Sequence, residues 1–218
     1  MSSETARVVA ISLNNQPWFA EMYAPLLTAL KSKAEFQQAE NSASAIQFLS
    51  QLPKPSAVLI TDEALTVRKN SAVWDAVLEY VRGGGTAIVM GLFSSSVQPD
   101  SIKPFFSRAG LRWEAGSYHR TTLALNRAAV GVANASKLPQ SYSQKAVFVD
   151  NVVSEDMWYK TDANSVVQSL VFAPTSANNS RETAVAMASV GGGKLGYVGD
   201  VNAEDGSNAV ILAMCGLL

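Results

Sequence analysis

The sequence predicts an α/β protein built on a mostly parallel sheet with helices on both faces. Two observations carry this. The first half alternates short apolar runs with segments of helical periodicity, four times over and with short connections, which is the pattern of β-α repeats. Those runs are continuous rather than alternating, as strands covered on both faces require. The second half departs from the repeat: β-prone stretches follow one another, so antiparallel strands are expected to extend the sheet there. A chain of 218 residues is within the range of one domain, and residues 1–218 are read as one.

Arg7–Leu13 is the first strand. Trp18/Phe19, Met22/Tyr23, Leu26/Leu27 and Leu30 then recur at helical spacing, and Pro25 inside that pattern predicts a short first turn and a second helix starting there. Glu35–Ala39 is a brief strand. Ser42 is the expected N-cap of a helix whose stripe is Ala45, Ile46, Leu49 and Leu52. Ser56–Thr61 is the third strand, ending in Asp62-Glu63. Ser71 is expected to cap a helix burying Val73, Trp74, Val77, Leu78 and Val81, which stops at Gly83-Gly84-Gly85. Thr86–Met90 is the fourth strand.

Beyond it, Ser101–Ala109 reads as a short helix with Phe105 and Phe106 inward. Leu111–Tyr118, Thr121–Asn126 and Ala146–Val152 read as strands, Asn134–Gln144 as a polar surface loop, and Trp158/Tyr159 and Val166–Phe172 as further strand candidates. Thr183–Val190 and Lys194–Gly199, joined by a glycine triplet, form a hairpin. Asp205 or Ser207 is expected to cap a terminal helix carrying Val210, Ile211, Leu212 and Met214.

Composition narrows the function classes. Apolar residues make up 48% and charged residues 16%, with a net charge of −1, a globular composition with a large core. No run of Lys or Arg exceeds two residues, which argues against binding a phosphate backbone. Residues 1–7 lack the basic and apolar regions of a signal peptide, and no apolar run reaches the length of a membrane span. One cysteine allows no disulfide within a chain. The expectation is a cytoplasmic protein with neither nucleic-acid nor membrane partners.

Two segments resemble a known family. Leu78–Gly91, a helix, a glycine turn and a strand leading into a sharp bend, is similar to the corresponding stretch of the class I glutamine amidotransferase-like superfamily, including its trehalose-utilisation-like branch. Gly192–Asn202, followed by a closing helix, resembles that group's common C-terminal ending. The resemblance implies a flavodoxin-like sheet with an antiparallel extension. Catalytic members of the superfamily place a nucleophilic cysteine on the elbow after the fourth strand, with a histidine partner further on. Here the elbow reads Gly91-Leu92-Phe93-Ser94. The resemblance therefore implies the fold without the superfamily's best-known chemistry.

The remaining residues offer few candidates for catalysis. Cys215, the only cysteine, lies among Ile211, Leu212, Met214 and Leu217 and reads as a packing residue. Ser94-Ser95-Ser96 sits at the carboxyl end of a central strand, the edge where such sheets bind ligands, but no Gly-x-Ser-x-Gly elbow surrounds it. His119 is the only histidine, so histidine-dependent acid-base chemistry must use it. One histidine and one remote cysteine cannot assemble a conventional zinc site. Asp62 and Glu63 are adjacent, point apart and do not form an acid-base pair. Gly191–Gly196 spells Gly-x-Gly-x-x-Gly, yet a strand follows where the dinucleotide motif needs a helix. Asp200 and Asn202 are read as caps of the terminal helix.

These readings leave three functions open. The first is a non-catalytic domain binding a small molecule or protein partner through Asn14, Asn15, Asp62, Glu63, Ser94 and Ser95, with neither cofactor nor metal. The second is a hydrolase or lyase using Ser94 or Asp62 with His119. The third is a structural oligomerisation module, a homodimer formed through the aromatic-rich second half.

Overall fold

The computed structural model describes residues 6–218; the expectation that no leader is present rests on residues 1–7, most of which lie outside the described residues. One nine-stranded mixed sheet runs through the fold in the order β2-β1-β3-β4-β9-β8-β7-β5-β6. The parallel part consists of β1 (Arg7–Ile11), β2 (Glu35–Ala39), β3 (Ala57–Ile60), β4 (Thr86–Val89) and β9 (Gly193–Val198). The antiparallel extension adds β8 (Val185–Val190), β7 (Met157–Lys160), β5 (Glu114–Leu125) and β6 (Ser141–Asp150). This is the α/β arrangement the repeats predict, with a flavodoxin-like parallel half.

Each parallel strand feeds two cores, because successive side chains point to opposite faces. Val8 and Ala10 of β1 join Leu59 and Ile88 under α2 (Ala24–Lys33) and α9 (Asp205–Met214). Val9 and Ile11 join Val58, Ile60 and Val89 under α3 (Ser42–Ser50), α4 (Ser71–Arg82) and α6 (Pro99–Ser107). On that second face Trp74 stacks on Phe105 with ring centres 4.1 Å apart, and Phe106 packs against Trp113 and Tyr197. Cys215, just past α9, is buried as expected, and burial pushes its thiol up to about 12.

The two glycine triplets meet. Gly192 N–H donates to the Arg82 carbonyl and Lys194 N–H to that of Gly85, both near 3 Å. A Cβ on Gly193 would overlap the carbonyl oxygens of Val81 and Gly85. Gly191 and Gly192 form the tight β8–β9 turn, seated with Gly193 against the end of α4, and the triplet serves packing.

Several boundaries differ from the sequence reading. The first helical segment divides into α1 (Phe19–Met22) and α2, with Pro25 in the first turn as expected. The α3 cap is Asn41, whose side chain accepts from Ser44 N–H, so Ser42 is already helical. Leu52 lies beyond that helix and is exposed. Ser71 is the first residue of α4 rather than its cap, because a 3₁₀ turn over Arg68–Asn70 runs directly into the helix. β5 is one twelve-residue strand with a bulge between Ala115 and Tyr118, where two strands are predicted. Residues 134–144 are not one long loop, because only 136–140 are irregular. α7 (Arg127–Val130) and α8 (Val132–Ala135) precede β6, which starts at Ser141 because Tyr142 turns inward edge-on to Tyr159 and Gln144 is fully buried. Val166–Phe172 is not a strand: the Ser169 hydroxyl accepts from Val171 and Phe172 N–H, folding the segment into a turn that exposes Leu170, Val171 and Phe172. Neither Asp205 nor Ser207 caps α9. Instead Asp200 accepts from Asn202 and Glu204 N–H, fixing the turn that leads into the helix.

Among the described residues no helix is long and apolar enough to cross a membrane.

Candidate functional site

The carboxyl edge of the parallel strands brings the candidate residues into two separate groups. The first lies between the loops after β1 and β3. There the Ser12 and Thr61 hydroxyls bond at 2.7 Å, and Thr61 also donates to the Ile11 carbonyl. Asn14 N–H donates to Asp62 Oδ2 at 2.8 Å, while Ala64 N–H donates to Asp62 Oδ1 at 3.0 Å. The Asn14 amide donates to Glu63 Oε1, and Asn15 reaches Glu40.

This is the gap where strand order reverses, with β2 on one side of β1 and β3 on the other, and open α/β sheets commonly bind ligands at that place. Here the polar groups are spent on one another. Asp62 is 3% exposed. Burial raises its pKa, opposed by the two backbone donors, with Glu63 adding a smaller upward push. The pair diverges as adjacent residues must: Asp62 turns inward to bind backbone and Glu63 outward to the Asn14 side chain.

The second group surrounds the elbow after β4. Gly91 has φ +69°, and a Cβ there would come within 3.0 Å of the Thr61 carbonyl. That conformation turns the chain sharply into α5 (Phe93–Ser96) and brings Ser94 against the sheet. Ser94 Oγ and Tyr197 Oη lie 3.1 Å apart, and Tyr197 donates its one proton to the Val147 carbonyl at 2.8 Å. A carbonyl only accepts, so Ser94 must be the donor to Tyr197. The relay runs Ser94 to Tyr197 to Val147 and contains no base. Burial raises the Tyr197 phenol well above its ordinary value, opposed by the Ser94 bond.

Ser94 and Ser95 open on a crevice of about 350 Å³ between α5–α6 and the antiparallel β5–β6 pair. Its walls include Ile102, Gly116, Val147 and Val201, with the Tyr118 ring, 58% exposed, at its mouth. Among the described residues no charged side chain lines it. Gly116 lets the β5 bulge approach: a Cβ there would sit 2.9 Å from both the Phe148 carbonyl and Glu182 Oε2. Tyr118, Gly116 and Val147 are site residues that the sequence reading missed. Their signal was weak, because they come from a bulged strand far along the chain and reach Ser94 only through sheet closure. That closure is made by β6, which bridges back to Thr183 and Asp200.

His119 belongs to neither group. Its ring stacks on Phe148 with centres 4.6 Å apart, and with Arg120 and Lys145 it lines an adjoining surface that shares only Tyr118 with the crevice. Burial lowers its pKa, with Glu182 pulling the other way. The structure therefore gathers Asn14, Asn15, Asp62 and Glu63 at one place and Ser94 and Ser95 at a second, with His119 at a third.

No family model and no curated protein matches this sequence. The fold matches solved structures along almost its whole length. A protein described as ThuA-like from Bacteroides uniformis aligns with TM-score 0.59 and 9% identity over 97% of this chain and 91% of that one. A second protein described as ThuA-like, from Parabacteroides merdae, aligns with TM-score 0.59 and 11% identity over 98% and 89%. A protein described as a GMP synthase subunit, from Thermoplasma acidophilum, aligns with TM-score 0.51 and 9% identity over 99% and 94%. Likeness at this identity establishes the fold alone, an α/β fold shared with these two ThuA-like proteins and the GMP synthase subunit.

Proposed function

We propose that this chain is a non-catalytic binding domain whose ligand is an uncharged small molecule held in the crevice beside Ser94 and Tyr118. One observation carries the reading: the Ser94 hydroxyl is committed as a donor to a relay that ends on a carbonyl. A serine nucleophile must hand its proton to a base. Tyr197 gives its own proton to Val147, and burial suppresses its ionisation. Asp62 spends both oxygens on backbone amides, and His119 stacks on Phe148 outside the crevice.

The crevice itself suits binding. It falls within the size range of small-molecule sites, mostly apolar with a few polar groups that orient a ligand. Ser95 is exposed on its wall and offers a hydroxyl, while Tyr118 offers a flat aromatic face. A charged ligand would find no opposite charge among the lining residues and would lose its hydration without compensation.

Saturation-transfer NMR with a library of uncharged, ring-sized fragments tests this. Binding is expected for the native chain and is lost in Ser95→Trp, whose indole fills the crevice from an exposed helical position. Turnover of an activated ester such as p-nitrophenyl acetate, abolished by Ser94→Ala, would instead establish the hydrolase alternative.

A further inference from the structure

On the other side of α6 lies a groove of about 710 Å³ that shares no lining residue with the crevice. Its charged lining is Lys103, Arg112 and Arg181; no acidic residue lines it among the described residues, and Glu114 and Asp150 stand just behind Lys103 and Arg181. Leu111, Val152 and Val153 supply an apolar floor. These cations come from three parts of the chain, so no basic run marks them in sequence. A patch with three cations and no lining acid is a local feature on a chain of net charge −1.

The cations are held apart. Lys103 Nζ pairs with Glu114 Oε2 at 2.8 Å, Asn151 Nδ2 donates to Glu114 Oε1, and Arg181 donates to Asn151 Oδ1. Asn151 itself has φ +59°, a turn conformation that asparagine tolerates. This ladder fixes Lys103 and Arg181 on opposite sides of the Glu114–Asn151 link. Arg181 also approaches Asp150 at 3.5 Å. Glu114 and Asp150 offset part of the Lys103 and Arg181 charge, so the net positive charge of the groove rests chiefly on Arg112. Arg112 is exposed and has no carboxylate within ion-pair distance among the described residues.

From this charge pattern we infer that the groove docks an acidic, apolar-interleaved peptide segment of a partner protein. Three spaced cations over an apolar floor fit an extended segment. Such a segment presents carboxylates to Lys103, Arg112 and Arg181 and sets aliphatic side chains on Leu111 and Val153. A lone phosphate or carboxylate would use one cation and leave the floor uncovered. Charges of this kind act mainly on partner choice and association rate, and they weaken with salt.

Fluorescence anisotropy of the full chain with a rhodamine-labelled (Glu-Leu-Asp-Gly)2 peptide tests the proposal, with (Lys-Leu-Lys-Gly)2 as the control. The acidic peptide is expected to bind and the basic one not to. Arg112→Glu, at an exposed position that leaves the melting temperature unchanged, is expected to weaken binding about tenfold or more, as is about 0.5 M salt. Val153→Asp should weaken it through the floor, and Ser95→Trp should not, which separates this surface from the crevice. Equal binding of the two peptides, no binding of the acidic one, or unchanged affinity in Arg112→Glu would overturn the proposal. Displacement by equimolar inorganic phosphate would do the same, assigning the groove to small anions.

Discussion

Asn14 N–H donates to Asp62 Oδ2 at 2.8 Å, and this bond ties the loop after β1 to the loop after β3. In an open α/β sheet those loops flank the gap where strand order reverses. Here the gap is stitched by a side chain whose second oxygen caps the turn at Ala64. The polar residues at this edge bond to one another, and the crevice lies apart from them, toward β4, β9 and the antiparallel β5–β6 pair.

Asp62→Ala removes an acceptor that serves two backbone amides. Loss of a cap typically costs about 0.5–2 kcal/mol, and an unpaired buried donor about 1–3 kcal/mol. Relief of the buried carboxylate offsets part of this. Urea unfolding near neutral pH should show a loss of about 1–2 kcal/mol, with Asp62→Asn losing less because it keeps one acceptor oxygen.

The relay from Ser94 to Val147 predicts an asymmetry between its two hydroxyls. Tyr197→Phe leaves both the buried Ser94 proton and the Val147 carbonyl short of a partner, whereas Ser94→Ala leaves Tyr197 donating as before. Tyr197→Phe should therefore cost about 1–3 kcal/mol and Ser94→Ala under about 1 kcal/mol. Denaturant midpoints of the two variants compare them directly.

Gly91→Ala tests the elbow. The φ of +69° strains any L side chain, and the new methyl would press on the Thr61 carbonyl at 3.0 Å and on the Phe19 ring at 3.2 Å. A loss of about 1–3 kcal/mol is expected in thermal unfolding.

His119 makes stability pH-dependent in a defined direction. Its folded pKa lies below the ordinary 6.5 because burial disfavours the charged ring. Above 6.5 the ring is neutral in both states. As pH falls through 6.5 the unfolded chain takes up the proton first, so this group's contribution to stability declines on acidification. His119→Phe keeps the stack on Phe148 without titrating. The variant's stability relative to the native chain should rise as pH drops from about 7 to about 5.

Much of the parallel half was legible in sequence because local pattern and global fold agree there. Continuous apolar runs such as Val8–Ile11 are strands buried on both faces, and α4 shows its stripe from Val73 to Val81 without ambiguity. The second half was harder for identifiable reasons. Tyr142 and Gln144 look like surface polar residues but are turned inward by β6 pairing, a tertiary effect that composition does not encode. Val166–Phe172 has strand composition, yet the Ser169 hydroxyl bends it into a turn. The crevice combines Ser94 with Gly116, Tyr118 and Val147, which are brought together by a bulge and a strand closure that no local spacing records. The basic groove was hidden for a similar reason, since Lys103, Arg112 and Arg181 converge only in three dimensions.

The most direct test of the crevice is an amide chemical-shift titration of ¹⁵N-labelled protein with the strongest-binding uncharged fragment. Shifts are expected at Ser94, Ser95, Gly116, Tyr118 and Val147, with residues 12–16 and 61–64 unmoved. Shifts centred instead on Asn14 and Asp62 would show that the strand-reversal gap opens to ligand, and would rule out the crevice as the binding site.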